Sequence, residues 1–356
     1  MTRSIPHSDY PGPVFLTGAT GFIGRRLTQA LLNLGCAVSA LVLPSDAQAL
    51  PAEVRLYRGD VTDPESLANA LADAKPIVVF HLAAIGMTNP NLTMGAACRV
   101  NVDGVINILD AVHAVDGVQR VVLVGSSYEY GARRSDDELD PFNPYGASKV
   151  AAWAFARAAY NAWGSPVVWV RPFQVYGPGQ HIKGLVSASI LAAIGQDDFQ
   201  MTRGEQQRDF VFVSDVVDGL LAAGRMPDIE GRVLDLGSGQ LRSIRHVVER
   251  IWSLAGAEGH ILAGALPYRP GEVPAIPANV QRTRLLTGWE ASTSLDEGLM
   301  LTIDALRNDT SPRVSVTKSV KLHAPWSQES RTGVRRSQLG DEDCETTRPL
   351  EGDHVE

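Results

Sequence analysis

The chain has 356 residues, 44% of them hydrophobic and 20% charged, an ordinary globular composition with length for one large or two modest domains. A formal net charge of −8 argues against nucleic acid or a membrane surface held by bulk charge, and leaves room for a small anionic ligand that needs only local cations. Cys36, Cys98 and Cys344 lack paired spacing, no apolar run approaches ~18 residues, and the opening MTRSIPHSDYPGP has no signal-peptide core, so the expectation is a cytoplasmic protein with free thiols and no metal site.

In chain order, VFLTGATGFIG from Val14 to Gly24 reads as a buried strand, a glycine turn and a helix running to about Leu34. CAVSALVL (Cys36 to Leu43) is a second strand, and a helix falls around 64–74. IVVFHLAA (Ile77 to Ala84) is a strand, 102–115 a helix, RVVLVG (Arg120 to Gly125) a strand and VVWVR (Val167 to Arg171) another. Continuous apolar strands alternating with helices predict an α/β fold with a parallel sheet covered on both faces. After about Pro172 the pattern loosens, with strand-like segments at 209–213 and 233–236. The organisation expected is a dinucleotide-binding domain over 12–172 with later segments interleaved, and a smaller substrate-binding lobe mainly over 173–308. Residues 309–356, polar and without apolar periodicity, read as a disordered tail.

Gly18, Gly21 and Gly24 stand three apart where strand passes to helix. Backbone amides at such a helix start face a pyrophosphate, and missing side chains allow close approach. An acid at the end of the second strand normally binds the adenosine ribose hydroxyls of NAD. Here that strand ends Leu41-Val42-Leu43-Pro44, and Asp46 reads as an ordinary loop carboxylate. Arg25 and Arg26 follow the glycine loop and suit a 2′-phosphate, so NADP(H) is favoured, with NAD(H) left open.

Tyr145 and Lys149 lie four apart at the mouth of an alanine-rich helix, on one helix face. A free phenol, with a pKa near ~10, is a poor proton carrier at neutral pH. A neighbouring ammonium and a cationic nicotinamide favour the phenolate, which then exchanges a proton with an alcohol or carbonyl while hydride moves. Ser126, just after the strand RVVLVG, is placed to bind the same oxygen.

These motifs together resemble an extended short-chain dehydrogenase/reductase of the nucleotide-sugar epimerase, dehydratase and reductase group, over about 12–306. The resemblance implies a Rossmann-type doubly wound sheet, with TGATGFIG as the cofactor loop (Gly18, Thr20, Gly21, Phe22, Ile23, Gly24 and Arg25). It further implies Asp60 and Val61 at the adenine, Leu82, Ala83 and Ala84 along the phosphates and ribose, Asn101 as a support, and Pro172 near the nicotinamide. Ser126, Tyr145 and Lys149 match the catalytic set. Gln174 and Ser127 fall beside the substrate, while Arg208 and Arg269 resemble the cations that meet its diphosphate. Such enzymes commonly dimerise through the helix after the tyrosine, so a homodimer is expected.

Ser127 and Tyr128 stand where a sugar dehydratase carries an acid and a base, which speaks against removal of water; a one-residue shift would bring Glu129 into the pocket. Three functions remain. A reductase of an NDP-4-keto-6-deoxyhexose is preferred, an NDP-sugar 4-epimerase with tightly held NAD is the alternative, and a catalytically silent nucleotide-binding regulator is the remote one.

Overall fold

Short β-branched runs bounded by glycine and proline build the centre of the molecule. The computed structural model describes residues 10, 12–46, 50–87, 89, 91–131, 139–268 and 274–309. The first half holds β1 (Val14–Thr17), α1 (Phe22–Asn33), β2 (Val38–Val42), β3 (Arg55–Arg58), α2 (Pro64–Ala74) and β4 (Val78–His81). Helix α3 (Met94–Ala97) continues through one π turn at Cys98–Val102 into α4 (Asp103–His113), and β5 (Arg120–Val124) is followed by a 3-10 turn at Ser127–Glu129. Then come α5 (Pro144–Trp163), β6 (Val167–Pro172), β7 (Gln174–Tyr176), α6 (Leu185–Gly195), β8 (Phe199–Met201), β9 (Gln207–Phe212) and α7 (Val213–Arg225). The last elements are β10 (Val233–Leu236), β11 (Leu241–Ser243), α8 (Ile244–Ala255), β12 (Ile261–Ala263), α9 (Val280–Thr287) and α10 (Leu295–Asn308).

The main sheet has the order β10-β6-β5-β4-β1-β2-β3, and every neighbouring pair is parallel. Successive side chains of a strand point to opposite faces, and both faces are covered. Val14 and Leu16 join a core with Leu27, Leu31, Val216 and Leu220 of α1 and α7. Phe15 joins another with Leu67, Ile108, Val112 and Ala152 of α2, α4 and α5. This is a doubly wound, Rossmann-type α/β fold. Strand order reverses between β1 and β4, so a crevice opens beyond their carboxyl ends, where ligands bind in such sheets.

A three-stranded sheet, β11-β9-β7, and the pair β12-β8 carry a third core of Tyr176, Ile190, Phe212, Ile251 and Leu299, built with α6, α8 and α10. Asp209 anchors this part: its buried carboxylate accepts from the backbone amides of Ser238 (2.7 Å), Gly239 (2.9 Å) and Ala278 (2.9 Å). Asp215 likewise accepts from Ser292 and Thr293, which fastens the TGWEASTSLDEGL segment to α7.

Three boundaries differ from expectation for physical reasons. β3, RLYR, is an edge strand without an apolar face, tied down by Arg55 and the Tyr57 hydroxyl on Asp73. The helix expected from 102 begins at Met94, because Thr93 caps it by accepting from Ala96 N at 3.2 Å. Val213, expected in a strand, opens α7. The expected tail lies, beyond Asp309, outside the described residues. Among the described residues no helix is long and apolar enough to cross a membrane, and no cluster of metal-ligating side chains occurs.

Candidate active site

The glycine loop leaves β1 at Gly18, whose φ is +71°, and a β-carbon there would lie 2.6 Å from Ala83 N. Only glycine permits both the turn and the contact with the Leu82–Ala83 backbone. Thr17 fastens the same neighbour: its hydroxyl accepts from Ala83 N at 3.3 Å and pairs with His81 Nδ1 at 2.8 Å. α1 starts at an extended Gly21 with no side-chain cap and no acid in its first turn. Its amides are therefore uncovered, as a phosphate requires; α2 and α5, by contrast, are capped by Asp63 and Asn143. Phe22, Ile23 and Gly24 form the first turn.

The cations and acids around this loop are arranged differently from the sequence expectation. Arg25 Nε donates to Thr20 O at 2.8 Å, and Arg26 donates to Pro178 O at 2.6 Å, so both guanidiniums are tied to backbone carbonyls. Asp46 is more than a loop carboxylate: it accepts from Thr20 Oγ1 at 3.5 Å, which brings a negative charge to the glycine loop. Asp60 accepts from Thr62 N at 2.9 Å, and Val61 O accepts from Asn107 at 2.9 Å.

Beyond β4, Asn101 is fully buried in the π turn. Its Oδ1 accepts from Ile85 N at 2.8 Å, and its Nδ2 donates to Ile85 O (3.0 Å) and to Ser148 Oγ (2.9 Å). Both amide hydrogens are consumed by protein groups. Asn101 thus acts as a strut between the Leu82–Ile85 segment and α5.

α5 begins when Asn143 Oδ1 accepts from Gly146 N at 2.8 Å and Pro144 takes the first turn. That start aims Tyr145 toward the end of β5, where its hydroxyl hydrogen-bonds Ser126. Leu92, Ala97 and Tyr128 pack around it, with the Tyr128 ring meeting Tyr145 edge-on at 5.8 Å. Lys149 is buried and donates from Nζ to Val124 O at 2.8 Å. Ser126, Tyr145 and Lys149 therefore converge at the carboxyl end of β5.

Lys149 Nζ sits 5.9 Å from the Tyr145 ring centre and turns to a carbonyl. Burial pushes the Tyr145 phenol up, Ser126 opposes this, and Glu129 and Tyr128 add to the rise. Burial also lowers Lys149 to about 8, against a pull from Glu129. His81, desolvated and next to that ammonium, falls to about 3 and stays neutral.

Glu129 does not enter the pocket. It lies wholly buried behind Ser126, where Arg171 Nε donates to it at 2.6 Å and Trp169 Nε1 at 3.1 Å. Arg171 is also missed by sequence reading, although an arginine inside an apolar strand is a signal that a buried acid waits for it. Ser127 and Tyr128 form the half-buried turn beside Tyr145. Pro172 ends β6 opposite Leu236, and Gln174 pairs with Phe210 in the small sheet. Arg208, two residues before Phe210 on β9, shares its face and donates to Gln207 O at 2.6 Å. Arg269 lies outside the described residues.

The sequence model of the NAD dependent epimerase/dehydratase family matches residues 14–237, from β1 through the convergent trio to β10. The chain belongs to this family. As a member it is 31% identical, over 82% of its length and 98% of the relative's, to UDP-glucose 4-epimerase of Mycolicibacterium smegmatis. It is 27% identical, over 82% and 97%, to UDP-N-acetyl-alpha-D-glucosaminuronate decarboxylase of Bacillus cytotoxicus. Among solved structures, MoeE5 in complex with UDP-glucuronic acid and NAD is 33% identical with a TM-score of 0.75, over 83% of this chain and 99% of that one. The protein is thus an enzyme of the NAD-dependent nucleotide-sugar epimerase/dehydratase family.

Proposed function

We propose that this enzyme is a UDP-sugar 4-epimerase that retains NAD through its cycle. The observation that carries the reading is the buried Ser126–Tyr145–Lys149 set, a single proton-handling phenol with the nearest acid, Glu129, sealed behind it. Such a site suits oxidation and reduction of a hydroxyl carbon and, among the described residues, has no second acid for removing water. The preference for a reductase and NADP(H) rested on a missing acid after β2. Asp46 on Thr20 removes that ground, since a carboxylate suits ribose hydroxyls and repels a 2′-phosphate.

The uncapped start of α1 fits a dinucleotide pyrophosphate. In this reading Gly18 to Arg25 line the phosphates, Asp60 and Val61 the adenine, and Leu82 to Ala84 with Pro172 the remainder. When bound, the nicotinamide supplies the hydride acceptor and, oxidised, a positive charge that favours the phenolate. Tyr145 takes the proton of the C4 hydroxyl and returns it, Ser126 holds the same oxygen, and Lys149 keeps a positive charge in the pocket. Ser127 contacts the sugar together with Gln174, while Arg208 and Arg269 meet the diphosphate, the last three from the lobe over 173–308.

Incubation with UDP-glucose, UDP-galactose or UDP-glucuronate, without added nucleotide, should give the C4 epimer by NMR, and denaturation should release NAD. Stoichiometric loss of NADPH with an NDP-4-keto-6-deoxyhexose would establish the reductase instead. Dinucleotide binding without turnover of any sugar nucleotide would establish the silent reading. For the cofactor, Asp46→Ser should raise affinity for NADP relative to NAD by about tenfold or more, the effect of removing one repulsive charge worth on the order of 1.4 kcal/mol; an unchanged ratio in binding titrations would return Asp46 to the loop.

A further inference from the structure

Gly125 has no backbone need to be glycine, yet a β-carbon there would collide with the Glu129 carboxylate and the Trp169 indole nitrogen. The chain has made room for a charged group directly beneath Ser126. Glu129 Oε1 accepts from the Ser126 amide at 2.7 Å, and Arg171 Nε donates to Oε2 at 2.6 Å. Arg171 Nη1 continues to the Tyr130 hydroxyl (3.0 Å), which donates to Asp235 of β10 at 2.7 Å. The three residues 124–126 thus hold the acceptor for Lys149, the space for Glu129 and the hydrogen-bond partner of Tyr145.

We propose that Glu129 is a positioning residue, which fixes the Val124–Ser126 backbone against Tyr145 and Lys149 and sets the charge balance of the buried pocket. This rests on the reading of Tyr145 as the proton-handling phenol and of Lys149 as the positive charge beside it. A buried carboxylate held by one guanidinium is costly unless fully bonded, and three N–H donors, from Ser126, Arg171 and a Trp169 indole N–H shared between both carboxylate oxygens, meet that need. Lys149 is faced by Glu129 from the 3-10 turn, His81 from β4 and Tyr145 from its own helix. Tyr145 is faced by Ser126, Glu129 and Tyr128, and Arg171 of β6 faces Glu129 itself. Glu129 is the carboxylate acting on both Lys149 and Tyr145.

The full-length protein labelled with [13Cε]lysine, with Lys149→Met to identify the resonance, reports the Lys149 titration without requiring turnover. Glu129→Gln should lower its midpoint by about one pH unit, the size expected on losing a nearby opposite charge. Glu129→Asp keeps the charge but loses reach, so its midpoint should stay in place while kcat falls about ten- to a hundredfold at similar KM. An identical midpoint in Glu129→Gln overturns the proposal, and so does full kcat in Glu129→Asp; if the Gln variant does not fold, the Asp variant decides. Failure of the epimerase reading would appear separately, as a wild-type protein that turns over no UDP-sugar but still shows the Lys149 shift.

Discussion

Burial and hydrogen bonding pull Tyr145 in opposite directions, and burial wins. The four-residue spacing to Lys149 was readable, but its meaning was not. Spacing says that two side chains share a helix face and cannot say that the ammonium would turn to Val124 O. Glu129 was visible as a letter next to Tyr130, and its partner Arg171 lies 42 residues away, a pairing that only the parallel sheet brings about. His81 shows the cost of burying a titratable group in this pocket. Its folded value of about 3 lies below the ordinary 6.5, so between those limits the unfolded chain binds a proton that the folded one refuses. Stability from this group is fully present above about 6.5 and is lost toward 3, at roughly 1.4 kcal/mol per pH unit. His81→Gln should therefore start less stable at pH 7, lacking the Thr17 pairing, and lose less melting temperature than wild type down to pH 4.5. Parallel Tm curves for the two proteins would remove His81 as the source of acid sensitivity.

At the scale of elements, the strands buried on both faces were legible because each is a continuous apolar run. β3 was not, since an edge strand needs no such run and RLYR is held by a surface acid. The glycine loop was legible for a stronger reason: its geometry admits almost no alternative. Gly18 at φ +71°, with Leu82 and Ala83 packed against its α-carbon, joins β1, α1 and the segment after β4. Gly18→Ala combines a left-handed backbone, costing about 1–2 kcal/mol, with a backbone contact that cannot relax. Destabilisation of at least about 2 kcal/mol in urea melts is expected, together with loss of dinucleotide binding by calorimetry. A stable Ala variant that still binds would mean the loop can be rebuilt around a side chain.

For the whole molecule, the doubly wound plan could be read from the alternation of elements, whereas the surface of α5 could not. Its aromatic residues divide between core and surface. Trp153 is half-buried and packs 5.7 Å from the Arg171 guanidinium, while Phe155 and Trp163 are each 48% exposed. The outer face also carries exposed Ala154, Ala158 and Ala162, and its exposed arginine, Arg157, is drawn to Gly231 O at 2.8 Å. A solvated helix face would carry charges there. Small residues flanked by aromatics instead allow close approach of a second copy, and one such face repeated about a two-fold axis makes a closed contact. Sedimentation of the wild type should give a dimer of about 77 kDa, twice the 38.3 kDa chain, and Phe155→Glu/Trp163→Glu should give a folded monomer, because two charges cannot be desolvated at such a seam. A wild-type monomer, or a dimer indifferent to both charges, would mean that this face stays in water and that any contact between copies lies elsewhere.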